Sequence, residues 1–384
     1  MEKNTVVFAG LGQCGGVLVD TMLQINPTYY SLFVNSAIGD LSKLKAVDID
    51  SNAFIYGGSN GTGGDREIAK ELLERDKYRL HEFLKKYTQF GVMVVMASLD
   101  GGTGSGSLPS FIKSVRRALP HICINVVGVL PRLTEDTLKL KNTINCLREL
   151  EEVADFINDI KFIDNNTRMS YEEINEEALC DIDAAYSIVG NHPLESIDTG
   201  DSYNVNNSIG YGIVLRLPDR PSGDLISDIA YAANNSVFAL PEDLLPREDG
   251  TNNMFCEYAG INVSEGSYDY NEIRKYITAT KRVYKTYNNI QRYPFNYIVL
   301  GGSDTPTHST ELIELEVEKR ESALRNRTKR RGFGIMSDFE DVESTRRSNR
   351  AESNNRGRRS FDMEEEDLDD LFDTDFFKFG RGRR

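Results

Sequence analysis

Several features that most function classes depend on are missing from this chain. Its four histidines are scattered through 384 residues without metal-ligand spacing, and its five cysteines, Cys14, Cys123, Cys146, Cys180 and Cys256, include no Cys-x-x-Cys pair. An odd, dispersed set of thiols argues against a disulfide framework and fits a reducing compartment. No apolar run approaches the roughly 20 residues of a membrane-spanning helix, and the first residues carry no signal-peptide pattern. The expectation is a soluble, cytoplasmic protein with no membrane partner. A basic excess is also absent. The formal net charge of −15 excludes a generic nucleic-acid coat, because phosphate binding needs a basic face, but leaves room for a local basic segment. No stretch supplies the lysine-bearing Gly-x4-Gly-Lys-Ser/Thr loop of an ordinary P-loop enzyme.

What the chain does have is a set of glycine-rich turns. With 39% hydrophobic residues it can bury real cores, and its length suffices for two packed domains and a tail. Asp100-Gly-Gly-Thr-Gly-Ser-Gly106 follows an apolar run at 92–97 and leads into an amphipathic segment that begins near Ser107. A strand, a glycine turn and a helix start form the layout of a phosphate cradle. Unpaired helix-end N–H groups face the ligand there, and glycine lets backbone approach oxygen closely. Thr103 and Ser105 add hydroxyl donors. Near the start, Gly10-Leu-Gly12-Gln-Cys-Gly15 spells the Gly-x-Gly-x-x-Gly dinucleotide fingerprint. Its companion, an acidic residue closing the second strand, is replaced by Asn35. On that motif alone a nicotinamide oxidoreductase and a plain tight turn both stay open. A third turn, Gly57-Gly-Ser-Asn-Gly61-Thr-Gly-Gly64-Asp-Arg66, is by itself equally well a surface loop. Three such turns at successive strand ends can surround a triphosphate with amides, and Arg66 adds a cation.

Apolar strand candidates at 6–8, 32–34, 54–56, 92–96, 122–129 and 162–163 alternate with helical spacings at 68–84 and 108–119. This alternation predicts a parallel sheet covered by helices on both faces, with ligands at the carboxyl ends of the strands. A helix is expected over 171–188, then a polar stretch through Asn207. A second βα-rich unit follows, with strands near 213–215, 255–263 and 297–300 and helices near 225–233 and 271–284. A charged helix is expected over 310–330. After Gly332 the aliphatic clusters vanish, which reads as disorder. That tail holds an arginine block (Arg346, Arg347, Arg350, Arg356, Arg358, Arg359), an acidic run at 362–375 and Phe376-Phe377-Lys378-Phe379.

Gly101-Gly-Thr-Gly-Ser-Gly106 together with Gly12-Gln13-Cys14-Gly15 resembles the tubulin/FtsZ superfamily of GTPases, with Asp100 where the family signature has a small residue. The resemblance covers residues 5–330 and implies an α/β, tubulin/FtsZ-like fold. Its parts are an N-terminal parallel-sheet GTP-binding domain (1–168), a central helix (169–190), a smaller C-terminal α/β activation domain (191–305), a C-terminal helix (306–331) and a disordered charged tail (332–384). The implied ligands are GTP and GDP, with Mg²⁺ carried by the triphosphate rather than by any visible ligand cluster. The implied nucleotide site takes in Gly12, Gln13, Cys14, Asn35, Gly64, Arg66, Gly101, Gly102, Thr103, Gly104, Ser105 and Gly106. By the same resemblance Glu135 and Lys139 lie at the ribose and phosphates, with Lys in place of the family's Arg. Asn165 and Asn175 read guanine, and Tyr171 stacks on the base. Tyr171 is equally readable as a core aromatic of its helix.

Ser196-Ile-Asp198-Thr-Gly-Asp201 is similar to the Asn-x-Asp-x-x-Asp loop with which FtsZ-like proteins complete the next subunit's site. Asp198 and Asp201 then act in trans by orienting water, and Ser196 replaces the family's Asn. On its own such a motif is solvated turn chemistry. A site shared between copies gives a head-to-tail contact that propagates as a filament. Residues 333–384 contain no proline and nothing like the Asp-x-Pro-x-Phe-Leu-Arg membrane-anchor peptide of FtsZ. The long charged helix and arginine-bearing tail are similar to the TubZ branch. That likeness implies partition of plasmid or phage DNA through a DNA-binding adaptor of the TubR type on centromeric DNA, captured by the tail. An FtsZ-type cell-division scaffold is the alternative, and a merely solubilising tail is the plain reading of the arginines.

Overall fold

The computed structural model describes residues 5–58, 61–188, 197–244, 254–264, 266–287 and 295–329. Ser196, Arg330 and the tail with its arginine block, acidic run and phenylalanines lie outside the described residues. The described residues up to Ser322 form one compact unit, and 323–329 belong to a second.

The first half alternates as the apolar pattern dictates. Its strands are β1 (Val6–Leu11), β2 (Tyr30–Asn35), β3 (Ala53–Ile55), β4 (Val92–Ser98), β5 (Cys123–Leu130) and β6 (Asp159–Asp164), all paired in parallel. Every residue of β1 and all of β4 but its last are buried. Parallel strands need such continuous apolar runs because helices cover both faces. On one face lie α1 (Gly12–Ile25) and α7 (Tyr171–Tyr186), which bury Leu18, Met22, Ile174 and Ile182 against Phe8 and Val94. On the other lie α3 (Arg66–Arg75), α4 (Lys77–Leu84), α5 (Thr103–Ala118), α6 (Thr137–Glu151) and α11 (Thr307–Lys329), which contribute Leu73, Leu80, Ile112, Leu140 and Ile313. A short α2 (Ile38–Leu41) follows β2.

The second half adds α8 (Thr199–Asn206), β7 (Gly210–Arg216), α9 (Leu225–Asn234), β8 (Met254–Val263), α10 (Tyr270–Lys275), β9 (Ile277–Tyr287) and β10 (Tyr297–Ser303). The full sheet runs β3-β2-β1-β4-β5-β6-β7-β10-β8-β9. It is mixed at this end, because β10 is antiparallel to both β7 and β8 while β8 and β9 are parallel. The seam is narrow: β6 meets β7 only where Asp159 pairs with Gly210 and Ile160 with Tyr211. Among the described residues no helix is long and apolar enough to cross a membrane.

Four elements differ from the sequence expectation. The helix expected over 271–284 is α10 followed by strand β9. Ile277, Thr278, Thr280, Val283 and Thr286 favour a pleated surface, but a register shift opposite Cys256 and Tyr258 breaks simple alternation and hides the strand. The single helix expected over 68–84 is two, α3 and α4, divided at Asp76, whose carboxylate accepts the Gly57 N–H at 3.0 Å and pairs with Arg79 at 3.1 Å. The helix expected to begin near Ser107 begins at Thr103, which draws the glycine turn into its first turn. The polar stretch through Asn207 contains α8.

Candidate functional site

The site is built where two helices begin. Helix α1 starts directly on the end of β1, at Gly12 with φ +69°, a left-handed conformation that glycine adopts without strain. Helix α5 starts at Thr103, just beyond β4. The two starts touch: a Cβ on Gly12 lies 2.8 Å from the Gly104 nitrogen, and one on Gly104 lies 2.9 Å from the Leu11 oxygen. Neither helix has a side-chain cap or an acidic residue in its first turn. By contrast α3, α6, α7, α8, α9 and α10 all begin on a capping Asp or Ser. Two adjacent helix ends therefore present N–H groups and positive dipole ends to whatever lies above them.

The third turn closes on the same place. A Cβ on Gly102 falls 2.6 Å from both the Gly64 carbonyl carbon and Thr62 Oγ1. The Thr103 hydroxyl lies 2.9 Å from Ser36 Oγ and 3.2 Å from Thr62 Oγ1. Asn142 Nδ2 on α6 donates to the carbonyls of Gly64 at 3.2 Å and Asp100 at 3.0 Å, tying the two turns together. Ser36 and Thr62 were visible only as polar residues within turns, and Asn142 carried no signal at all.

Four residues expected at the nucleotide, Arg66, Ser105, Gly106 and Asn35, are engaged within the fold. Arg66 is buried, and its guanidinium grips Glu149 at 2.8 and 3.2 Å, Ser105 Oγ at 2.9 Å and the Ser105 carbonyl at 3.1 Å. Pro109 inside α5 has no N–H and leaves the Ser105 carbonyl without its helical partner; Arg66 donates to that carbonyl instead, with the Cys146 thiol at 3.4 Å. Arg66 is thus a clamp within the fold and is not a free cation beside the glycine turns. The fully buried Ser105 hydroxyl donates to the Gly101 carbonyl, so Ser105 closes its own loop and is not a free donor either. Gly106 is a packing glycine, with a Cβ position only 2.5 Å from the Arg66 carbonyl. Asn35 is fully buried and accepts the Ala37 N–H at 3.0 Å, shaping its own turn. Gln13 is exposed beside the α1 start, and Gly101 has open space around its Cβ direction. Half-buried Cys14 is a neutral thiol, pushed up to about 12 by burial and then by the Asp100 charge.

A second group gathers at the ends of β5 and β6. Glu135 accepts from Lys139 Nζ at 2.8 Å and from the Tyr171 hydroxyl at 2.7 Å. Those two contacts hold its carboxyl below the ordinary glutamate range, and the same carboxylate raises Lys139. Lys139 also stands 3.8 Å from Asp100, so two of the three departures from the family's spelling are neighbours. Tyr171 is 39% exposed at the start of α7, with the Arg132 guanidinium 4.3 Å over its ring. Asn175 follows it by one helical turn and is half-buried. Asn165 is buried, and its Oδ1 has no hydrogen-bond partner among the described residues. A buried orphan acceptor is costly unless something fills it.

Asp198 and Asp201 sit elsewhere. They form a reciprocal cap on α8: the Asp201 N–H donates to Asp198 Oδ1 at 2.9 Å and the Asp198 N–H to Asp201 Oδ2 at 3.2 Å. Helix α8 lies under the amino ends of the strands. Thr199, Ser202, Tyr203 and Asn206 share a cavity of about 40 Å³ with Val6 and Val92, the first residues of β1 and β4. The glycine turns leave the opposite, carboxyl ends. Six residues of strand separate the two ends by roughly 20 Å, so this acid pair does not reach its own chain's glycine turns.

Residues 5–169 match the Tubulin/FtsZ family, GTPase domain. The chain is 26% identical over 357 residues to the tubulin-like protein TubZ of a Clostridium botulinum C phage, an alignment covering 91% of this chain and 94% of that one. The tail-truncated TubZ of Clostridium botulinum phage c-st superposes with a TM-score of 0.72 at 25% identity, covering 84% of this chain and 100% of that one. A GTPγS-form protofilament of Bacillus thuringiensis serovar israelensis TubZ superposes with a TM-score of 0.67 at 14% identity, covering 85% of this chain and 94% of that one, a likeness of fold alone.

Proposed function

We propose that this chain, a TubZ-like member of the tubulin/FtsZ superfamily, hydrolyses GTP in a pocket that a second copy completes. The filament so formed partitions plasmid or phage DNA. The observation that carries the reading is the separation just described: an uncapped, glycine-lined anion cradle at one end of the sheet and an acid pair at the other. Head-to-tail stacking brings one copy's acids over the next copy's cradle, and such a contact repeats without closing. The relative from Bacillus thuringiensis is a protofilament in a GTPγS form, in keeping with this arrangement.

In the pocket the α1 and α5 ends take the phosphates with backbone N–H groups, and Thr103 adds its hydroxyl. The orphan Asn165 Oδ1 suits the N–H donors on the edge of guanine, and Tyr171, with Arg132 on one face, offers its other face for stacking. Glu135 and Lys139 border the ribose and phosphates. Asp198 and Asp201 of the neighbour orient the attacking water, since phosphoryl transfer depends chiefly on positioning and charge stabilisation. Among the described residues no three His, Cys, Asp or Glu side chains gather as a metal cage. A Mg²⁺ carried in by the triphosphate would neutralise charge on the transferred group. The arginine block of the tail engages an adaptor of the TubR type on centromeric DNA.

Turnover per subunit measured against protein concentration, alongside light scattering, tests the shared pocket. Both rise together past a threshold; a specific rate that is flat from extreme dilution to crowded solution rules the reading out. Removal of residues 332–384 tests the second half. GTP turnover persists while capture by adaptor-coated DNA is lost, and tail-dependent binding to lipid vesicles without DNA capture points to an FtsZ-type scaffold instead.

A further inference from the structure

One face of α11 closes over the turn that carries Glu135. Ile313 and Val317 bury in the same core as Leu140 and Leu150 of α6, and Arg320 reaches beyond them to segment 131–136. Arg320 Nη1 donates to the Glu135 carbonyl and Nη2 to the Leu133 carbonyl, both at 2.5 Å. Its Nε donates to Glu316 Oε1 at 2.8 Å, an i to i+4 pair that aims the guanidinium. Lys141 of α6 pairs with Glu321 at 2.5 Å beside it. The segment has further anchors on the guanine side of the pocket. Arg132 donates to the carbonyls of Asn165 at 3.1 Å and Met169 at 2.5 Å. Asn166 accepts the Leu133 N–H at 2.8 Å and donates to the Pro131 carbonyl at 3.1 Å. The Glu135 side chain, standing on this segment, holds both Lys139 and the Tyr171 hydroxyl.

We propose that Arg320 is a positioning residue for the nucleotide pocket: by gripping the carbonyls of Leu133 and Glu135 it fixes where the Glu135 carboxylate stands, and through it Lys139 and Tyr171. The inference rests on reading that pocket as a guanine-nucleotide site. A guanidinium suits the task because its planar fork meets two carbonyls at once, whereas an ammonium is a single point of charge. Binding linkage is reciprocal, so whatever Arg320 adds to nucleotide affinity the nucleotide adds to the docking of α11.

The test uses the full chain with GDP, below the concentration of filament assembly. Arg320→Ala weakens GDP binding by about tenfold, Arg320→Lys recovers only part of the loss, and Glu318→Ala, at an exposed position on the same helix, changes nothing. Glu135→Ala also weakens binding, and the double variant is no weaker than the worse single one, because the two act through one another. Without any variant, GDP slows backbone hydrogen exchange over residues 313–321. Wild-type affinity in Arg320→Ala, additive losses in the double variant, or unchanged exchange in α11 overturns the proposal while leaving the pocket reading intact. A wild-type chain that binds no GDP sinks both. Should Arg320→Ala fail to fold, Arg320→Lys and the exchange measurement decide.

Discussion

Asp201 has a structural role at the start of α8 beside the catalytic one proposed for it, and alanine replacement confounds the two. As the third residue of α8 its carboxylate accepts the Asp198 N–H, and Asp198 in turn caps the helix. Asp198→Ala therefore costs about 1 kcal/mol of stability through the cap alone. Asparagine at 201 keeps a side-chain oxygen that can accept the Asp198 N–H but carries no charge. Asp201→Asn is expected to leave thermal unfolding and GTP affinity unchanged, yet to slow turnover at assembly concentrations by at least about tenfold, or 1.4 kcal/mol of barrier. An undiminished rate removes Asp201 from the chemistry and leaves it a capping residue. At this scale the sequence was informative about backbone and less so about side chains. Gly12, Gly102 and Gly104 stand where a side chain would strike backbone of a neighbouring turn or strand, or a threonine hydroxyl. Arg66 and Ser105 turn to partners within the fold, which their residue types alone do not reveal. Their partners, Glu149 and the Ser105 carbonyl freed by Pro109, lie on other elements or emerge only once α5 forms.

That clamp has a consequence for α3, α5 and α6 together. Pro109 removes one helical bond from α5, and Arg66 of α3, held by Glu149 of α6, replaces it. Glu149→Ala leaves a buried guanidinium without its carboxylate and is expected to cost about 3–5 kcal/mol, read as the shift in urea unfolding of the full chain. Arg66→Met costs less in a Pro109→Ala background than alone, because alanine at that position returns an N–H to the Ser105 carbonyl. Equal costs in the two backgrounds mean that Arg66 does not serve that carbonyl. The same elements show which parts of the fold were legible. Strands β1, β2, β4 and β5 are buried apolar runs with no competing reading. Strand β9 was lost because Ile273, Ile277 and Tyr284 also suit a helical spacing, and what decides between them is nine pairings with a strand that the sequence places elsewhere. Helix α8 was lost because its signal is a cap followed by polar residues, with only Ser202, Val205 and Asn206 buried.

At the scale of the whole molecule, what decides between a site within one copy and a site between two is which copy supplies each part. Wild-type chain held below its assembly threshold is expected to turn over GTP slowly. Asp201→Asn chain, with an intact cradle but no working acid pair, is expected to be slow at any concentration while still assembling. Mixed, the two restore each other: each wild-type acid pair meets a variant's intact cradle in the shared filament, and total turnover rises as silent variant is added to silent wild type. A self-contained pocket predicts the opposite, because added Asp201→Asn subunits contribute no complete site and total turnover stays at the wild-type level. Co-sedimentation verifies that the copies assemble together, so a flat rate in a mixed filament is decisive against the two-copy pocket. The expectation rests on the roughly 20 Å of sheet that keeps each copy's acids from its own glycine turns, a separation set by the length of the parallel strands.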